Sequence, residues 1–245
     1  MIIAEKSDRG GDLLEKLGEW VRGLAEGVFE GEVEAGYSGE GWIVLEPDEE
    51  ILMSSIRLQT RIDPIASDKP PHTARISKLW EDRILIEYPS RGGRTFRKRI
   101  PAERFAAALG YGGDDPAGFL RGVGLGEGCP VSVAADLPSS LQLRLLFEQA
   151  LKGLDRLLIL NAVASEVDQI LSLESVKALI AGYENLTLLT HLAYLRLGVG
   201  LEKAAERLRR EFEAISGKIV VRALPWRILA EAARNLRMYF PSLLE

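Results

Sequence analysis

Cysteine is almost absent from this chain. A single Cys129 in 245 residues cannot close an intramolecular disulfide, and with only His72 and His191 beside it the sequence offers no zinc-type ligand cluster. No metal and no cofactor is expected. Side-chain amides are nearly as scarce, with 3 Asn and 4 Gln against 22 Arg and 9 Lys, a balance that suits a thermophilic source. Long apolar runs are missing as well. The longest strongly apolar one, residues 157–160, is far short of a membrane span, and the opening MIIAEKSDRGGD lacks the apolar core of a signal peptide. These absences predict a cytoplasmic protein with no membrane partner, in which the Asn185-Leu186-Thr187 sequon carries no chemistry.

Catalytic signatures are missing too. No G-x-S-x-G surrounds Ser38, no H-E-x-x-H occurs, and no histidine pairs with Cys129 in sequence. Pro47-Asp48 opens no metal-nuclease motif, because no Asp/Glu-x-Lys follows, so Glu49 and Glu50 read as turn acids. His191 falls on an expected helix over 184–197 beside Thr187, Thr190 and Tyr194, and reads as a hydrogen-bonded histidine. No catalytic residue is assigned.

What the chain has is an uneven distribution of charge. The net charge of −5 conceals an acidic leader, with 14 acids and 4 bases in residues 1–50, followed by a basic island of 12 bases and 6 acids in residues 51–110. The island holds the clearest structural signal, ARISKLWEDRILIEYPSRGGRTFRKRI over 74–100. Alternation there predicts strands at 75–80, 83–88 and 94–100 joined by two turns. On the last strand Arg97 and Arg99 project together, while Arg94, Phe96 and Lys98 project the other way. With Arg91 these six residues form the candidate nucleic-acid-binding set. Guanidinium groups would lie along phosphates, with Phe96 or Tyr88 offering a stacking face. The same bases could instead be neutralised internally by Glu32, Glu34 and the acids of 48–50.

Around the hairpin, apolar residues at helical spacing predict a docked helix over 12–29. Short strands are expected at 33–37, 41–46 and 51–62, a loop at 63–71 and a short helix at 102–109. Residues 111–130 are glycine-rich, but the spacing fits no phosphate-binding fingerprint, so a linker is read there. Beyond it, charge and apolar periodicity predict helices starting near 136 and over 173–181, 184–197, 201–216 and 226–239, with one extended segment at 218–224. The charge-free run 157–164 is expected to be buried on most sides, either in a bundle centre or against another subunit. Trp226, Met238, Tyr239 and Phe240 mark the last helix as a surface for a partner.

The expected fold is therefore α+β in two parts. A helix and a small antiparallel β-barrel or rolled sheet, SH3-like by architectural analogy, occupy 1–110; a linker spans 111–135; a mainly α-helical bundle occupies 136–245. The expected function is a non-catalytic binding or assembly protein, a subunit of a complex containing DNA or RNA, with a protein partner or a second copy held by the helical part. The alternatives are a protein-protein scaffold without nucleic acid, and an enzyme whose site between the parts would gather His191, Asp114, Asp115 or the acidic turn.

Overall fold

A computed structural model describes residues 1–239, and in it three antiparallel sheets follow one another along the chain. The first combines β1 (Ile2–Ile3), α1 (Gly11–Leu24), β2 (Glu34–Tyr37), β3 (Ile43–Glu46) and α2 (Glu50–Gln59), in strand order β1-β3-β2. Helix α1 forms where the apolar stripe predicts it. Leu13, Leu17 and Val21 are fully buried and pack with Ile43, Leu45, Leu52 and Ile56. Gly18 sits on that buried face because nothing larger fits: a Cβ there would lie 2.5 Å from the Val33 carbonyl oxygen. Gly18→Ala should therefore lower the melting temperature. The helix-propensity gain of up to ~1 kcal/mol is outweighed by ~1–3 kcal/mol of overpacking, and a raised melting temperature would contradict the packing.

The strand expected over 51–62 is instead helix α2. A period of two places Ile56, Leu58 and Ile62 on one face, but Leu52 and Ile56, four residues apart, carry the burial and Leu58 is 84% exposed. The helical spacing wins because it alone buries both residues against α1.

The second sheet contains the hairpin. Its elements are β4 (His72–Leu79), β5 (Arg83–Pro89), β6 (Thr95–Pro101), α3 (Ala102–Ala107), α4 (Pro116–Gly122), β7 (Pro130–Ala134), β8 (Leu137–Pro138) and α5 (Ser140–Leu151), in strand order β6-β5-β4-β7-β8. Ile76, Ile84, Ile86 and Ile100 line one sheet face and pack on Phe105, Leu120 and Leu146. Within the glycine-rich stretch, Asp115 caps α4 by accepting the Gly118 N–H at 2.7 Å. The chain then returns to pair β7 with β4.

The third part departs most from expectation. It runs β9 (Arg156–Leu160), α6 (Ala164–Ser172), α7 (Glu174–Lys177), β10 (Ile180–Asn185), β11 (Thr190–Leu195), α8 (Leu201–Glu213), β12 (Val220–Leu224) and α9 (Trp226–Tyr239). Its sheet has the order β10-β11-β9-β12. The barrel-plus-bundle reading is thus overturned. The early strands divide between two sheets instead of closing one barrel, and residues 136–239 carry a four-stranded sheet instead of a bundle. Every residue of β9 and β11 is buried, so neither strand shows the alternation that betrays a half-exposed one. One face, with Leu157, Ile159 and Ala193, is covered by Val167, Leu208 and Phe212 of α6 and α8. The other carries Leu158, Leu160 and Leu192 against Cys129.

Two long-range connections tie the parts together. Helix α9 leaves the third sheet and places Leu229, Ala232 and Ala233 in the core of the second. Near the start of the chain, Arg9 forms a bidentate pair with Glu166 of α6, both N···O distances 2.6 Å, and Lys16 reaches the same carboxylate at 2.9 Å. Both Arg9 and Glu166 are buried.

Candidate nucleic-acid interface and inter-sheet cavity

Among the described residues, strand β6 is the free edge of the second sheet and pairs only with β5. Residues 96–99 are exposed throughout, before Ile100 turns into the core. The alternation falls as the sequence predicts: Arg97 stands opposite Glu87, and Phe96 opposite Tyr88. The charges divide into two groups. Arg97 donates to Glu87 on the neighbouring strand at 2.8 Å, and Lys98 is hydrogen-bonded to Asp136 in the β7–β8 turn; both contacts raise the pKa of the base. By contrast, among the described residues no carboxylate lies within 4.0 Å of the guanidinium group of Arg91, Arg94 or Arg99, although the Arg91 backbone N–H donates to Asp68 at 3.1 Å. Direct ion-pair neutralisation thus comes from the hairpin's own sheet, while Glu40 of the leader acts on Arg97 at longer range. The leader contributes through docking, as Trp42 donates its indole N–H to Thr95 at 2.7 Å.

Aromatic rings run across the same sheet. His72 stacks on Tyr88 with centroids 4.6 Å apart, and Tyr88 on Phe96 at 5.4 Å. The Arg94 guanidinium lies 5.7 Å from the Phe96 centroid, within cation–π range. Phe96 is 40% exposed. The face therefore ends in a ring open to solvent beside an arginine without an ion-pair partner.

A second feature lies where the sheets meet. An open cavity of about 620 Å³ is walled by the segment after β1, by β4, by the turn before β7, and by the ends of β9 and β12. Lys6, Arg75, Lys218 and Arg222 line it, together with Glu5, Asp8 and Glu127. Glu5 is fully enclosed, and its carboxylate accepts from the Thr187 hydroxyl at 2.6 Å and from the Leu188 and Leu189 N–H groups at 3.0 Å. Burial nevertheless dominates and pushes its pKa up to about 7, against the lowering effect of those hydrogen bonds. No family model, curated protein or solved structure matches this chain. The chemistry has to be read from these residues themselves.

The remaining candidates fall elsewhere. His191 is completely buried on β11, not on a helix, and burial lowers its pKa to about 4. The neutral ring bonds through Nε2 to the Ala162 carbonyl at 2.9 Å, with Nδ1 2.8 Å from the Asn185 side chain. Neither His191, Asp114, Asp115 nor the acids at 48–50 line the inter-sheet cavity. No group of three or more His, Cys, Asp or Glu side chains gathers for a metal among the described residues. Nor is any described helix long and apolar enough to cross a membrane.

Trp226 opens α9 with its indole N–H donated to the Ala150 carbonyl at 2.8 Å and 38% of its surface exposed. Met238 and Tyr239 belong to the last turn of that helix, and Phe240 lies outside the described residues. The cavity residues escape a reading of the sequence because they come from well-separated segments. Their one local signature is a single arginine in an otherwise apolar strand, Arg222 in VVRAL, with Lys218 two residues before that strand.

Proposed function

We propose that this protein is a non-catalytic binding or assembly component that meets nucleic-acid phosphates along the β6 edge. The observation that carries this reading is Arg99 on the exposed edge strand and Arg94 immediately before it, with no carboxylate within 4.0 Å of either guanidinium among the described residues, beside the open Phe96 ring. An edge strand lets guanidinium groups from both faces reach one backbone, and the ring offers a base a stacking surface worth ~1–3 kcal/mol. Arg97 and Lys98, already paired, contribute less, because each must exchange an existing partner for a phosphate. Overall acidity opposes non-specific binding, which favours contact within an assembled complex where a protein partner adds affinity.

Arg94→Ala/Arg99→Ala should weaken binding of a single-stranded oligonucleotide by about tenfold or more at low salt. It should also reduce the slope of log K against log[salt] by ~1.4, at ~0.7 for each phosphate no longer neutralised. Fluorescence anisotropy across a salt series measures both quantities. An unchanged slope would remove β6 from the interface, whereas no binding by the wild-type chain at any salt would favour a scaffold without nucleic acid.

A further inference from the structure

We infer that the inter-sheet cavity is a binding site for a phosphate monoester on an organic body of nucleotide size, held by Arg75 and Arg222. The inference stands on cavity geometry and does not depend on the β6 edge. The acids in the wall are already committed to partners within the chain. Asp8 accepts from Asn161 at 3.2 Å and lies 3.9 Å from the Lys218 ammonium. Glu127 accepts the Leu79 N–H at 3.2 Å, and Glu5 faces Thr187 and two backbone N–H groups. Among the bases, Lys6 is held 3.6 Å from Glu87 and 4.3 Å from the Trp42 ring centroid.

The two arginines differ from the lysines in having no carboxylate within 4.0 Å among the described residues. Arg75 donates from one terminal nitrogen to the Lys6 carbonyl at 2.9 Å. Arg222 donates to the Glu127 carbonyl at 2.6 Å and to the Cys129 sulfur at 3.3 Å. These contacts orient the guanidinium groups without neutralising them. Both flank one glycine turn. A Cβ on Gly126 would stand 2.8 Å from Arg222 Nη1, and one on Gly128, whose φ is +83°, would stand 3.7 Å from Arg75 Nη2. The glycines thus bring the backbone against the two guanidinium groups, and they are the residues whose spacing fits no phosphate-loop fingerprint.

Two oriented guanidinium forks match the geometry of a phosphate. A monoester, with a charge of about −1.5 to −2 at neutral pH, balances two arginines where a diester brings a single charge. A volume of about 620 Å³ lies within the range of small-molecule sites and is far larger than a bare oxyanion requires. Leu160, Leu189 and Val220 supply apolar wall for an organic body, and Ser77, Asn161 and Thr190 supply polar contacts.

The test titrates the full chain, by calorimetry, with AMP, inorganic phosphate, citrate, and an eight-nucleotide strand carrying either a 5′-phosphate or a 5′-hydroxyl. AMP, the 5′-phosphorylated strand or both should bind, and citrate and the 5′-hydroxyl strand should bind at least tenfold more weakly, the two strands being compared on the Arg94→Ala/Arg99→Ala protein so that β6 contacts do not contribute. AMP alone would identify a free nucleotide as the source, and the phosphorylated strand alone a strand end. Arg75→Ala/Arg222→Ala should reduce that affinity at least tenfold, and the Lys/Lys version, which keeps charge but loses the forks, should fall between. Arg94→Ala/Arg99→Ala, which removes strand contacts at β6, should leave the AMP affinity and the preference for the 5′-phosphorylated strand unchanged. The assignment is overturned if no phosphorylated probe binds at millimolar concentration, if citrate binds as well as AMP, or if the Lys/Lys protein keeps wild-type affinity. Because the two variant pairs act on separate surfaces, failure here leaves the β6 reading standing, and the reverse also holds.

Discussion

Glu166→Ala is expected to destabilise the protein by roughly 3–5 kcal/mol, the cost of removing one partner from a buried ion pair. Arg9 would remain buried with its bidentate partner gone, left with Asp12 at 3.1 Å and the Asn161 carbonyl at 3.0 Å, and Lys16 would be left without its carboxylate too. For a domain of 150–250 residues each kcal/mol shifts the melting temperature by about 2–4 °C, so the loss is visible in a thermal scan. A melting temperature within about 2 °C of wild type would show that the pair contributes little.

Acid should reproduce part of this effect. Burial raises the Glu166 pKa, but the hydrogen bonds from Arg9, Lys16 and the Val163 N–H outweigh it and bring the value down from 4.5 to about 2. A depressed acid stabilises the fold above its unfolded pKa. That stability disappears as pH falls from about 4.5 toward 2, and the Ala variant should lack this portion of the acid dependence.

Glu5 has the opposite linkage. Its folded pKa of about 7 exceeds the ordinary 4.5, so its contribution is complete below pH 4.5 and is lost as pH rises through 7. Integrated across that window at about 1.36 kcal/mol per unit, the difference reaches about 3 kcal/mol. Glu5→Gln, which cannot ionise, should flatten the stability profile between about pH 5 and 8, as read by urea denaturation at each pH. An equally steep decline in the variant would assign the dependence to another group.

These residues also show which parts of the fold are readable from sequence. The hairpin from β4 to β6 is legible because one face is wet, so apolar and charged residues alternate, and because Gly92-Gly93 marks its turn. Helices α1, α8 and α9 are legible for the corresponding reason at the helical period. The third sheet has no such signal. With both faces covered, β9 and β11 present unbroken apolar runs that local pattern cannot distinguish from a buried helix. His191 adds to the ambiguity, since its polarity resembles part of a helical stripe until Ala162 and Asn185 are brought to it from other segments.

The candidate surfaces divide in the same way. The β6 edge is a local property of consecutive residues, and sequence finds it. Its internal pairing is less visible, because Glu87 and Asp136 become neighbours only through sheet register. The cavity is a product of assembly: Lys6, Arg75 and Glu127 share no sequence window with one another or with the pair Lys218 and Arg222, and the glycine run 122–128 gains meaning only when two arginines from separate sheets lie against it.

The return of α9 to the second sheet has a consequence for the order of events during synthesis. Leu229, Ala232 and Ala233 complete a core whose first strands, β4 to β6, emerge long before them. A chain growing from its N-terminus therefore holds the apolar surface of α4 and α5 partly uncovered while the whole third sheet is being added. Ribosome-bound intermediates halted before residue 226 should accordingly be the species most prone to aggregate or to recruit a chaperone. The last helix acts as a latch that closes the middle of the molecule from its far end.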